Sequence, residues 1–249
     1  PHVLLGSRVP DGTRNEFRWR NYLNIREVPW LVHHQIQGQI IFPAAGYLSA
    51  AVEAVVQLYG LESVQLVEFA HISIGQALVL NEDASSVETL LSYSVTKDEQ
   101  DVVEGFFRFH SETPAKATSE LALNASGRLI VRLGPRDESA LPPPSKLKGS
   151  FLEIDSERFY EKTDDLGFGY SGPFRKLTQV SRKMDEAIGK IQTPDLEDQG
   201  EVPLIVHPGT LDSAIQSTML AFCYPVFGRL RSIYLPTGIA RLLINPAAY

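Results

Sequence analysis

The chain has 249 residues, 43% of them hydrophobic and 21% charged, which are the proportions of a globular protein with one large core or two small ones and not those of a disordered segment. A formal net charge of −7 with no basic run longer than two residues excludes a nucleic-acid footprint, and no apolar run approaches the ~20 residues that a membrane-spanning helix requires. The single cysteine, Cys223, excludes an internal disulfide and a cysteine-rich metal site; with an N-terminal stretch unlike a signal peptide, it points to the cytoplasm.

The first strong pattern is His34-Gln-Ile-Gln-Gly38-Gln-Ile-Ile-Phe-Pro43, an imidazole one short loop before an apolar helix expected over Phe42 to Leu58. Pro43 suits the first helical position, and Tyr47, Leu48, Ala51, Val52, Val55 and Leu58 recur at helical spacing. Ala44, Ala45, Ala50 and Ala54 leave almost no polar face, so the helix must be wrapped. Strand-like segments follow at Gln65 to Ala70, Ile72 to Leu80, Val87 to Val95, Gly105 to His110 and Ser126 to Leu133. One central helix inside a curled antiparallel sheet accounts for both. Asn124-Ala-Ser126 is a glycosylation sequon by chance and carries no weight.

Residues 136 to 150 hold three consecutive prolines among polar residues and read as an extended linker. It divides the chain into an N-terminal half, 1–135, and a C-terminal half, 151–249. The second half repeats the theme with a helix from Pro208 to about Ala221 and strands near Lys176 to Lys183, Glu186 to Gln192 and Ser232 to Ile244. That sheet is short of strands, so the second half is expected to be incomplete, with chain beyond Tyr249 or neighbouring chain completing it.

A histidine in one half and a carboxylate in the other, each beside an apolar helix, suit the removal of water from a hydroxyacyl thioester. The reaction needs a base, an acid and donors for the developing enolate oxygen. His34 is the candidate base, and Ile36, Ile40, Ile41 and Phe42 suggest an apolar wall that would keep it neutral. Taken alone it reads as readily as a structural histidine, with His33 as a competitor. Gly38 is either a substrate contact, where the helix N-terminus offers free amides, or a turn glycine.

Asp212 sits just inside the helix opened by Pro208, with Gln216 one turn later on the same face. Apolar neighbours Leu211, Ala214 and Ile215 would raise its pKa toward that of a proton donor; otherwise it is a first-turn acid serving the helix dipole. Gly167-Phe-Gly-Tyr170-Ser-Gly-Pro-Phe174 offers Tyr170 as a donor to a substrate hydroxyl, or as a packed phenol. No zinc-type spacing joins His33, His34, His207 and Asp212, so no metal is expected.

These residues resemble the dehydratase domains of polyketide synthases, most closely those of fungal highly reducing iterative enzymes. His-x-x-x-Gly-x-x-x-x-Pro is matched by His34, Gly38 and Pro43, and Asp-x-x-x-Gln by Asp212 and Gln216. His2-Val-Leu-Leu-Gly6, Trp19-Arg-Asn-Tyr-Leu23, Pro29-Trp-Leu31, Phe42-Pro-Ala-Ala-Gly-Tyr47 and Leu235-Pro-Thr-Gly-Ile239 also look like family segments. The resemblance implies an α+β double hot-dog fold, two curled antiparallel sheets each wrapping a central apolar helix, with His34 and Asp212 facing one another across a substrate tunnel.

By the same resemblance Tyr170 belongs to a substrate-facing loop and Pro208 to the approach to the catalytic aspartate. The resemblance implies conversion of a 3R-hydroxyacyl chain, carried on the phosphopantetheine of an acyl carrier protein, to a trans-2-enoyl thioester with no cofactor in the domain. The implied partners are the carrier and the other domains of the same synthase, and a second copy in a homodimer. Arg229, Arg231 and Arg241 are either carrier contacts or solvated arginines. The family commonly has aspartate where this chain has His33; strand alternation would turn that side chain away from the substrate. The competing readings are a product template-type cyclase and a catalytically silent dehydratase-like scaffold.

Overall fold

The computed structural model describes residues 1–10, 13–81, 85–113, 120–143, 149–192 and 203–248. The central apolar helix, α1, spans Ala44–Tyr59, and every residue from Ala45 to Val55 is buried. Pro43 is the residue before the helix and not its first member: its φ of −69° is helical, but its ψ of 150° is extended. Proline fixes only φ, and the extended ψ turns the chain from the preceding strand into the helix. Gly60 ends α1 at a φ of 85°, which glycine adopts without a Cβ penalty.

The strands of the first half are β1 (Ser7–Val9), β2 (Glu16–Leu23), β3 (His34–Ile36), β4 (Gln39–Ile41), β5 (Val64–Ile74), β6 (Val79–Leu80), β7 (Val87–Glu99), β8 (Val102–Ser111) and β9 (Ala122–Leu133). The second half adds β10 (Leu152–Ile154), α2 (Ser156–Leu166), β11 (Phe168–Tyr170), β12 (Leu177–Lys183), β13 (Glu186–Ile191), α3 (Pro208–Phe222) and β14 (Gly238–Ile244). Among the described residues the largest sheet runs β1-β2-β7-β8-β9-β5-β14, and every pairing in it is antiparallel. Its inner face supplies Trp19, Leu91, Phe107, Phe109, Leu129 and Val131 to the core around α1.

Three expectations about strands change. The segment from Gln65 to Ala70 and the start of the one from Ile72 join as one long strand, β5, which ends at Ile74, while Val79–Leu80 is the separate β6 in another sheet. The pairing of β5 with β9 slips between Ala70 and Ser73, where His71 sits at a φ of 52°. The slip bends the strand around α1 without ending it. Ser232 to Ile244 becomes a strand only from Gly238, and β14 pairs with β5 of the first half. It does not extend the second sheet, which runs β10-β12-β13. α2 and β2 are additional elements that the hydrophobic pattern did not single out.

α3 buries Leu211, Asp212, Ser213, Gln216 and Leu220, while Ala214, Thr218 and Phe222 remain exposed. The described part of the 136–150 segment forms neither helix nor strand, and residues 144–148 lie outside the described residues. Its start is tied to the end of β14: Asn245 Nδ2 donates to the Asp137 carbonyl at 2.8 Å.

A third sheet, β11-β3-β4-β6, joins the halves. It pairs Tyr170 of the second half directly with His34 of the first. Beneath it Trp30 lies 6.0 Å from the Phe174 ring and 5.4 Å, edge-on, from the His207 ring. The fold therefore brings the two sequence signatures to one seam.

Candidate active site

His34 opens β3 and is 5% exposed. Its Nδ1 lies 2.6 Å from the carbonyl oxygen of Ile41. A carbonyl can only accept, so Nδ1 carries a proton, and in the neutral ring Nε2 is then the nitrogen with the lone pair. The partner carbonyl is delivered by the β3–β4 hairpin, where Gln37 and Gly38 take φ values of 51° and 74°. Two successive left-handed residues form the type I′ turn that matches strand twist. Gly38 is thus the turn glycine; it is exposed and lies outside the cavity lining. The His34 ring packs 5.1 Å from Phe174 and 5.6 Å from Tyr170.

His33 is the last residue of a 3-10 turn, Pro29–His33, so strand alternation is not what aims it. Its Nδ1 lies 2.8 Å from Ser171 Oγ, which holds the second imidazole on the Tyr170 loop.

Asp212 is reached through α3. His207 precedes the helix and its Nδ1 accepts from the Gly209 amide at 3.0 Å, while Pro208 takes the first helical position, where its missing N–H is not needed. A Cβ on Gly209 would stand 2.5 Å from the Pro173 carbonyl oxygen, so only glycine lets α3 approach the Gly172–Phe174 turn this closely. One turn on, Asp212 is 6% exposed and Gln216 is 2% exposed. Gln216 Nε2 donates to Asp212 Oδ2 and to the Phe174 carbonyl, both at 2.9 Å. Burial pushes the Asp212 carboxyl above the usual carboxylate range, while His34 and the Gln216 hydrogen bond pull less strongly the other way.

His34, Tyr170, Asp212 and Gln216 line one cavity of about 460 Å³. The rest of its wall is mainly apolar, including Ile41, Phe42, Ile215, Met219 and Leu235. Burial raises the Tyr170 phenol well above its ordinary value, and Asp212 adds to this. Pro43 and Pro208 shape the helix entries without lining the cavity; Ala44, the first residue of α1, does line it. No side chain caps that helix end, so its amino terminus opens on the same space.

Arg241 is engaged by Glu68 at 2.7 Å, and Arg229 stacks over Phe222 at 4.8 Å. Phe222 belongs to the cavity wall, which places Arg229 at the rim. Among the described residues no cluster of three or more histidine, cysteine or acidic side chains could hold a metal ion, and no helix is long and apolar enough to cross a membrane. Trp30 and Tyr160 are members of the site's surroundings that the sequence motifs had not marked for any role. Tyr160 Oη lies 3.2 Å from Gln216 Oε1.

Residues 2–105 match the family described as polyketide synthase dehydratase domain, and residues 138–249 match the one described as polyketide synthase dehydratase N-terminal domain. The polyketide synthase-nonribosomal peptide synthetase ffsA of Aspergillus flavipes is 46% identical over 99% of this chain, which spans 6% of that protein's length. The dehydratase domain from the CurF module of curacin polyketide synthase superposes with a TM-score of 0.77 at 24% identity, over 96% of this chain and 82% of that one. CurK dehydratase, solved as an aspartate-to-asparagine and a histidine-to-phenylalanine inactive mutant, gives TM-scores of 0.67 and 0.66 at 21% identity, over 97% of this chain and 81% of that one. With its histidine and aspartate on one cavity wall in a double hot-dog fold, the chain belongs to the polyketide synthase dehydratase domains.

Proposed function

We propose that the chain removes water from a 3R-hydroxyacyl thioester to leave a trans-2-enoyl thioester, with His34 as base and Asp212 as acid. The observation that carries this reading is the His34 Nδ1 bond to the Ile41 carbonyl, because it leaves Nε2 free to take a proton. Asp212 supplies the complement, a buried carboxyl whose pKa is raised by that burial. A buried carboxyl that holds its proton more tightly and an imidazole whose Nε2 faces the same cavity form an acid and base pair.

In the step, His34 Nε2 takes the proton beside the thioester carbonyl. The electron pair forms the new double bond as the β-hydroxyl leaves with the Asp212 proton, as water. His34 gains one proton and Asp212 loses one, so transfer of a single proton resets the pair. The uncapped amino end of α1 at Ala44 offers backbone amides to the carbonyl oxygen, where negative charge develops. Tyr170, opposite His34 and close to Asp212, is placed to contact the substrate hydroxyl, and Gln216 orients the acid.

The elimination requires no cofactor within the chain. A phosphopantetheine thioester on an acyl carrier protein belongs to the substrate, and the carrier, the other synthase domains and a second copy are the partners of this reading, in the cytoplasm. The dependence of CurK dehydratase on one aspartate and one histidine supports assigning both roles in a chain with the same fold. His33, held on Ser171, does not compete for the proton, which favours an active enzyme over a silent scaffold. The Gln216 donor to Asp212, which fixes the orientation of that carboxyl, favours dehydration over cyclisation.

The test is a mass assay with a 3R-hydroxybutyryl N-acetylcysteamine or carrier-bound thioester. Loss of one water is expected from the wild type, and a fall of at least about 10³-fold in His34→Ala. Robust turnover by His34→Ala would remove that residue from its role.

A further inference from the structure

We infer that Tyr160, on α2 and outside the cavity wall, is a positioning residue that fixes the Gln216 amide and thereby decides which oxygen of Asp212 carries the acidic proton. The inference rests on the dehydratase reading above and deepens it.

Tyr160 is 1% exposed. Its hydroxyl oxygen accepts from the Leu177 amide at 3.0 Å, so its own proton is available to another acceptor. Gln216 Oε1, at 3.2 Å, is that acceptor. The opposite edge of the same amide meets the Phe174 carbonyl, which has no proton to give. Only one orientation satisfies both contacts: oxygen toward Tyr160, nitrogen toward Phe174 and Asp212.

Both amide protons are then committed, one to Phe174 and one to Asp212 Oδ2. Oδ2 faces a donor and must accept. When Asp212 is neutral its proton therefore resides on Oδ1. Without the Tyr160 hydroxyl, Gln216 Oε1 would be a buried acceptor with no partner, and the amide would lose what holds it against rotation. Burial raises the Tyr160 phenol to about 12, so it remains a donor across the working pH range. α2 is itself fixed over the site: Arg175 stacks on the Tyr160 ring at 4.8 Å and binds Glu157 and Asp164 of the same helix, each at 2.9 Å.

The experiment joins a readout that needs no substrate to one that does. The Asp212 carboxyl is followed by ¹³C NMR titration, its signal identified by its loss in Asp212→Asn, and turnover is followed with 3R-hydroxybutyryl N-acetylcysteamine. In Tyr160→Phe the donor to the ionised carboxylate loosens, so the carboxyl titrates at higher pH. The high-pH limb of kcat moves the same way, and kcat falls about 10-fold or more. In a Gln216→Leu background, where the link is already cut, adding Tyr160→Phe lowers kcat no further.

An unmoved carboxyl titration in folded Tyr160→Phe overturns the inference, as do losses that multiply in the double variant. A moved titration in a protein whose wild type releases no water upholds the positioning role and discards the dehydratase reading. Should Tyr160→Phe fail to fold, 3,5-difluorotyrosine at position 160 replaces it: this keeps the hydroxyl and changes its donor strength. A shifted Asp212 titration then supports the inference, and an unchanged one overturns it.

Discussion

His207 makes the stability of this fold depend on mild acid. Its Nδ1 accepts the Gly209 amide at the start of α3, it is 5% exposed, and burial lowers its pKa from 6.5 to about 4. A histidine depressed in the folded state binds protons more readily when unfolded, so its contribution is complete above pH 6.5 and is lost as the pH falls toward 4. The difference between those values, at 1.36 kcal/mol per pH unit, amounts to about 2 kcal/mol lost by pH 5 and about 3 kcal/mol by pH 4. That is a large part of the ~5–15 kcal/mol that a domain possesses. Asp212 acts in the opposite sense, since its raised pKa favours the folded state on acidification, so wild-type curves alone would mix the two. His207→Asn separates them because asparagine is a good N-cap and does not titrate in this range. Urea unfolding of both proteins at pH 7.5, 6, 5 and 4 should show the variant gaining on the wild type by about 3 kcal/mol between the ends of the series. Parallel curves would refute the linkage.

Asp212→Asn should abolish water loss while leaving the melting temperature equal to or above that of the wild type, most clearly at pH 8, because it removes a buried carboxyl whose ionised form is disfavoured. Thermal melts and the mass assay on one preparation check both halves of that statement. Gly209→Ala should cost about 1–3 kcal/mol, since its Cβ would meet the Pro173 carbonyl oxygen at 2.5 Å and force the helix away. It should also reduce turnover by more than that stability loss explains, because the helix that moves carries Asp212; an active, fully stable variant would show that the turn yields instead.

His34 and Asp212 were legible as candidates in the sequence through the spacings His34–Gly38–Pro43 and Asp212–Gln216, each beside a helix whose apolar pattern is strong. α1 is buried almost throughout, and α3 begins with proline, so both helix starts were visible within a residue or two. β2 was obscured because its outward positions, Arg20 and Tyr22, include a large aromatic, while the inward Asn21 is polar and satisfied by the Val3 carbonyl. α2 carries a readable signal: Asp155 accepts from the Glu157 amide as a cap, Phe159, Tyr160 and Thr163 recur at helical spacing, and Gly167 closes the helix in the left-handed conformation. Recognising α2 would have placed Tyr160 on the second half's core face. Its bond to Gln216 would still have been hidden, because no spacing rule links residues 56 positions apart.

What local pattern could not reveal is that the two halves share strands. β14 leaves its own half to pair with β5, and β11 pairs with β3 so that Tyr170 stands opposite His34. Each half alone would lack part of the site: the first would keep His34 and its Ile41 partner, and the second would keep Asp212 with its Gln216 donor. Trp30, seated between Phe174 and His207, fills the seam from the first half against the turn that also receives Gln216 Nε2. The same backbone turn therefore sets the wall behind the His34 ring, the approach of α3 through Gly209 and the orientation of the amide that holds Asp212. A disturbance at this turn reaches His34 and Asp212 together, so mutations there should be strongly non-additive with His34 and Asp212 variants, whereas those on the outer strands should add.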